Sequence, residues 1–317
     1  MVTRREWLGH ALGAAAALGL APRLAGAQSS GESSLILRAI PSTGERLPII
    51  GLGSSATFAQ VARKDDHEAL RAVLAKMVEL GGTVFDTAPS YGASEEVAGR
   101  IAQSLGIADK LFWATKVNVA SRGGAADAAA ARQQIEVSFS RIGRKRIDLI
   151  QVHNMGDIAT QLPVLREFKQ QGRVRYLGVT TTFESQYAGL IDTMRTQKLD
   201  FIGTNYAIDD RFAEQTILPL ARDKGIAVLC YAPFGRSRLW ARVKDRPLPA
   251  WAAEFDAVTW AQFFLKFVAS HPDITCITPA TSRASNMADN MAGGRGRLPD
   301  AAMRKRMIAL IDGLPGA

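Results

Sequence analysis

Short, continuously apolar runs recur along the chain, and a stretch of helical spacing follows each of the first seven. The runs fall at residues 48–53, 83–86, 111–116, 148–153, 176–180, 201–204, 226–231 and 274–278. Apolar positions repeat at three- and four-residue intervals over 65–80, 95–105, 125–142, 161–171, 184–196, 211–223 and 259–270. That second period predicts amphipathic helices. Runs without polar alternation predict strands buried on both faces, as in a parallel sheet covered by helices. Local signals agree: Asp65 and Asp66 open the first helix, and Gly81-Gly82 stops it. Ahead of these units, 35–40 and 44–47 around Pro41-Ser42-Thr43 predict a β-hairpin. Behind them, 300–310 predicts a terminal helix, with Gly293-Gly294-Arg295-Gly296 as a flexible connection.

Eight strands alternating with helices predict an α/β fold. The first strand leads through Gly51-Leu52-Gly53 into Ser54-Ser55-Ala56, with no Gly-x-Gly-x-x-Gly turn. That argues against a doubly wound dinucleotide-binding sheet and for a (β/α)8 TIM barrel with an N-terminal hairpin. The longest strand-to-helix insertion, 236–256, carries Trp240 and Trp251. Such loops either build the active rim or pack as surface excursions.

Reactive groups end successive strands: Asp86 after Val84-Phe85, Lys116 after Trp113-Ala114-Thr115, and His153 after Gln151-Val152. Tyr91 follows Asp86 by five residues, just before Gly92. Taken singly, each has an ordinary structural role as turn former, packing residue or core histidine. Together they suit carbonyl reduction, which needs a hydride and a proton delivered to one group. No side chain supplies hydride, so a nicotinamide must. Tyr91 would act as general acid, with a nearby Lys116 ammonium favouring its phenolate and Asp86 holding the lysine charged. His153 would donate to the carbonyl oxygen.

These motifs, in this order, resemble the aldo-keto reductases over residues 34–290. The resemblance implies the same four roles, a hairpin that plugs the barrel bottom, and a nicotinamide nucleotide as cofactor. It places Thr180 and Thr181 at the carboxamide and Tyr231 against the nicotinamide. Phe234 and Gly235 fall in the pyrophosphate loop, and Ser282, Arg283, Asp289 and Asn290 at the adenosine end. Gly203, Ala280 and Asn286 depart from the usual residues, which leaves Arg283 as the candidate 2′-phosphate contact and favours NADP (as NADPH) over NAD. Ser55, Asn118 and Asn154 stand where better-known members often carry Trp, implying a polar, open substrate wall, with Phe58, Trp240 and Phe234 as apolar contacts.

Thr3-Arg4-Arg5-Glu6-Trp7-Leu8, a weakly apolar run and Ala25-Gly26-Ala27 resemble a twin-arginine export signal over residues 1–27. The barrel domain is then expected at 28–317, folded before export to the periplasm by the twin-arginine translocon. An uncleaved anchor is the alternative, since 8–24 nearly reaches membrane-spanning length. The net charge of +9 includes three arginines and one glutamate from this leader, so the remainder carries +7. No basic block or nucleic-acid module accompanies it. Cys230 and Cys276 are expected as free buried thiols.

The expected function is NADP-dependent, reversible reduction of an aldehyde or ketone by a monomer. One rival is a non-catalytic nucleotide-binding sensor or regulatory subunit, which has no need of Tyr91 and Lys116 together. The other is a metal-dependent hydrolase or isomerase, for which the four histidines (His10, His67, His153, His271) are sparse. No metal is expected.

Overall fold

The structure is a computed structural model that describes residues 34–64, 67–120 and 124–314. The leader at 1–27 and the residues Asp65 and Asp66 lie outside the described residues. The strands are β1 (Leu37–Ala39), β2 (Arg46–Pro48), β3 (Leu52–Gly53), β4 (Val84–Asp86), β5 (Phe112–Val117), β6 (Ile147–His153), β7 (Val174–Thr180), β8 (Phe201–Asn205), β9 (Ala227–Tyr231) and β10 (Cys276–Ile277). The helices are α1 (Thr57–Val61), α2 (Glu68–Glu79), α3 (Ser94–Ser104), α4 (Ala128–Ile142), α5 (Ile158–Gln170), α6 (Tyr187–Thr196), α7 (Ile217–Asp223), α8 (Arg238–Val243), α9 (Trp260–Ala269), α10 (Ala284–Ala292) and α11 (Ala301–Asp312).

Strands β3 to β10 pair in sequence order, and every pairing is parallel. The seam closes where Ile277 N donates to Ile49 O and Gly51 N donates to Ile277 O, both at 2.8 Å. Glycine is required there by close approach: a Cβ on Gly53 would lie 2.5 Å from the Thr278 carbonyl oxygen. The result is the eight-stranded α/β barrel, with β1 and β2 forming a separate antiparallel hairpin.

Strand periodicity of two divides the core. Val84, Phe112, Ala114, Leu149, Tyr176, Phe201, Ala227, Leu229 and Cys276 form the inner cluster, and Ile40 and Leu47 of the hairpin pack into it. The alternate residues Phe85, Trp113, Ile150, Val152, Leu177, Ile202 and Val228 join the larger outer core beneath the helices. Cys230 belongs to the outer core and Cys276 to the inner one, so the two buried thiols lie on opposite faces of the barrel wall and remain free. Caps set the helix starts: Asp127 accepts from Ala130 N and Asp157 from Thr160 N, which begins α5 at Ile158, ahead of its apolar repeat.

One expectation needs correction, and one open alternative is decided. The Gly293-Gly294-Arg295-Gly296 stretch is tied down: Ile36 N donates to Gly294 O at 2.9 Å, and the buried Lys266 ammonium group donates to the carbonyls of Arg295 and Arg297. Glycine there permits tight packing against the hairpin, so it does not loosen the chain. In the long insertion, Trp240 packs on Phe234 and Phe264, and Trp251 on Phe263. It folds largely onto α9 as α8 and a short 3-10 turn, and only its first residues reach the barrel rim.

Candidate active site

The inward-facing positions of β4, β5 and β6 continue upward from the apolar cluster to Asp86, Lys116, Gln151 and His153. The strand period places them there: Asp86 is two residues after Val84, Lys116 two after Ala114, and His153 four after Leu149. Register does the rest, pairing Asp86 with Ala114 and Lys116 with Gln151. Tyr91 returns over the end of β4 through a turn closed by Tyr91 N to Ala88 O at 3.0 Å. Gly92 leaves that turn at a φ of 62°, and Ser94 Oγ donates to the Tyr91 carbonyl at 2.8 Å.

Lys116 Nζ donates to Asp86 Oδ1 at 2.9 Å, Asp86 Oδ2 at 2.8 Å and the Thr87 carbonyl at 2.8 Å. All three ammonium N–H groups thus have acceptors. Burial works against the lysine charge, but the adjacent Asp86, with Tyr231 and Tyr91, overcomes it and holds the amine above its ordinary range. The nitrogen sits 5.1 Å from the Tyr91 ring centroid and 5.3 Å from that of Tyr231. Lys116 therefore acts on Tyr91 through its field, with no hydrogen bond to spare.

His153 meets Tyr91 edge to face, with centroids 5.8 Å apart and planes at 82°. Burial, helped by the Lys116 charge, pushes its imidazole down to about 3, so the ring is neutral at ordinary pH. The chain after it bends sharply: Asn154, Met155 and Asp157 have φ of 54°, 53° and 35°. Left-handed backbone at such residues costs on the order of 1–3 kcal/mol each and persists where its surroundings enforce it. Here Asn118 Nδ2 donates to the His153 carbonyl at 2.8 Å and Met155 N to the Thr180 carbonyl at 3.1 Å.

These groups floor a cleft of about 560 Å³ at the carboxyl ends of the strands. Ser55, Thr57, Ser90, Asn154, Thr180, Tyr231, Phe234, Arg236, Thr278 and Ala280 line it. Thr181 is buried away from this lining, where its hydroxyl bonds Gln186 and accepts from Phe183 N. Gly235 is buried against Asp209. Ser282 and Arg283 precede α10, Arg283 being exposed, and none of Ser282, Arg283, Asp289 and Asn290 lines the cleft. Asp289 accepts from Thr259 Oγ1 and Gln262 Nε2, fixing α10 to the start of α9. Phe58 and Trp240 lie outside the cleft lining, and Asn118 serves His153; of the polar wall Ser55 and Asn154 are present, and of the apolar contacts Phe234.

Gln151, Thr182, Phe183 and Arg236 escaped the motif reading. Gln151 carried a signal, since its strand parity with Leu149 and His153 faces it inward. The other three sit on loops, where no period applies. Among the described residues no cluster of three or more His, Cys, Asp or Glu side chains could hold a metal ion.

A model of the Aldo/keto reductase family matches residues 49–305. Aldo-keto reductase YhdN of Bacillus subtilis is 29% identical over 216 residues, 65% of this chain and 64% of that protein, which is under two thirds of its length. Aldo-keto reductase yakc [NADP(+)] of Schizosaccharomyces pombe is 22% identical over 299 residues, 82% of this chain and 88% of the relative. The holo form of aldo-keto reductase AKR11C1 from Bacillus halodurans superposes with a TM-score of 0.70 at 19% identity, over 87% of this chain and 96% of that one, a likeness of fold. With the family match extending from the first barrel strand into α11, across Asp86, Tyr91, Lys116 and His153, the chain belongs to the aldo/keto reductase family.

Proposed function

We propose that the protein is an NADP-dependent oxidoreductase that reduces an aldehyde or ketone, reversibly, with Tyr91 as proton donor. One observation carries this reading. The buried Asp86–Lys116 pair lies directly beneath a tyrosine and a neutral histidine whose hydroxyl and ring nitrogens have no protein partner among the described residues. A carbonyl oxygen in the cleft can take both, receiving the Tyr91 proton while the neutral imidazole N–H orients it. Lys116 stabilises the phenolate that forms, and Asp86 keeps Lys116 charged and in place. A pure nucleotide sensor has no use for this ion pair under Tyr91.

Thr180, Tyr231 and Arg236 of the cleft lining would take a dinucleotide. Tyr231 presents its ring against Gly203, where a Cβ would lie 2.4 Å from the ring, and Arg236 offers a guanidinium at the rim. A bound nicotinamide would supply the hydride that no side chain can. Thr180 and Tyr231 would hold its ring end, and Phe234 and Arg236 its phosphates. Arg283, exposed at the start of α10 with no side-chain partner among the described residues, is free to turn toward a 2′-phosphate. The polar lining residues Ser55, Thr57, Ser90 and Asn154 favour a substrate bearing hydroxyl groups. Reduction by a monomer, exported with the leader at 1–27 removed, completes the reading.

Tyr91→Phe tests it. NADPH binding, followed by fluorescence, should stay near wild type while turnover with a panel of carbonyls falls by at least ~10²-fold. Wild-type turnover in that variant would remove Tyr91 as the acid. Arg283→Ala should weaken NADPH binding and spare NADH; equal losses for both nucleotides would show that Arg283 does not read the 2′-phosphate.

A further inference from the structure

Gln151 is fully buried at the heart of the site, and nothing in the reaction as described uses it. Its Nε2 donates to Tyr231 Oη at 2.9 Å, and Tyr231 Oη lies 3.4 Å from Asp86 Oδ1. A phenol has one proton. With Gln151 donating to the oxygen, that proton must point elsewhere, and Asp86 Oδ1 is the acceptor in reach. A directed chain results: Gln151 to Tyr231, Tyr231 to Asp86, with Lys116 donating to Asp86 from the other side. Gly203 makes it possible, since a side chain there would occupy the space of the Tyr231 ring and hydroxyl, 2.4 and 2.7 Å from a built Cβ.

We propose that Gln151 is a positioning residue that, through Tyr231, sets how much negative charge Asp86 presents beneath Tyr91. Lys116 reaches Tyr91 only by its field, so that field depends on how fully Asp86 neutralises it. The Tyr231 hydroxyl takes up part of the Asp86 charge and leaves more of the Lys116 field for Tyr91. The groups facing this unit are Asp86 from β4, Lys116 from β5, His153 from β6, Tyr231 from β9 and Cys276 from β10, with Arg63 against Gly92 on the outside. Tyr231 is itself held far above the ordinary phenol range, by burial first and by Asp86 second, and stays protonated.

The inference rests on the reductase reading for its kinetic consequence and on geometry for its spectroscopic one, so the two can fail separately. With tyrosine labelled at Cζ, the wild-type holoprotein should show a slowly exchanging hydroxyl proton on Tyr231. Gln151→Met, which keeps volume and removes the donor, should speed that exchange at least ~10-fold. The pH–rate limb that the Asp86–Lys116–Tyr91 unit sets should move upward by about half a unit or more in Gln151→Met and in Tyr231→Phe, and no further in the double variant. An unmoved limb in folded Gln151→Met, or additive shifts in the double, would overturn the proposal. Should Gln151→Met not fold, Gly203→Ala reaches the same contact by displacing the ring, and unchanged Tyr231 exchange there overturns it equally. Faster exchange in a protein that turns over no carbonyl would sink the reductase reading and leave the Gln151–Tyr231 clamp standing.

Discussion

His153 shows how burial chooses a protonation state. Held down to about 3 by burial and the Lys116 charge, it stays neutral where an unfolded histidine, near 6.5, takes up a proton. The sign follows: between about pH 6.5 and 3 the unfolded chain binds a proton that the native one refuses, so stability falls as pH drops through that window. His153→Asn should flatten this acid-side loss, measured as urea midpoints across the pH series; an unchanged slope would mean that the native imidazole ionises freely. Neutrality also means that no inflection from His153 belongs in the pH–rate profile between pH 4 and 8. Asp86 and Lys116 were visible in the sequence as strand-end residues, whereas their pairing was set by the β4–β5 register. Gln151 was missed because an amide among apolar residues looks like an interruption until its neighbours across the barrel are known.

At the scale of elements, the hairpin illustrates how a small piece secures a large one. Ile40 and Leu47 close the lower end of the barrel over Phe112, Leu149, Tyr176 and Phe201. Ile40 is fully buried, and truncating such a side chain typically costs about 2–5 kcal/mol. Ile40→Ala should lose stability within that range in denaturant titration while leaving nucleotide affinity intact, because the plug and the cleft occupy opposite ends. A loss below about 1 kcal/mol would show that the hairpin does not seal the core. The strands were legible because both of their faces are apolar. Helix starts were less so: α5 begins at a capping aspartate, before its apolar repeat, and α10 packs Met287 and Met291 inward from a segment whose motif resemblance drew attention to its polar residues.

For the whole molecule, the described residues begin at Ser34 and contain the eight barrel strands and the cleft groups named above, so removing a leader over residues 1–27 would leave them intact. Replacing Arg4 and Arg5 with Lys preserves the leader's charge and removes the arginine pair. We expect export to fail and an active enzyme to accumulate in the cytoplasm, seen by fractionation and N-terminal sequencing. Undiminished export of the Lys-Lys form would end the twin-arginine reading, and a retained Met1 on exported protein would make the leader an anchor.

Periodicity and strand-end chemistry in the sequence pointed to the barrel strands, the hairpin and the four titratable groups of the cleft, because each is read from spacing within a short segment. The tertiary structure decided the rest. It turned Thr181 away from the cleft and gave Asn118 to the His153 carbonyl. It also packed Trp240 onto Phe234 and Phe264 and set the Tyr231 hydroxyl between Gln151 and Asp86. Those outcomes depend on which side chains meet across the barrel, between residues as many as 145 positions apart in the chain. Local sequence carries a side chain's chemistry and its face, but only closure of the barrel supplies its partner.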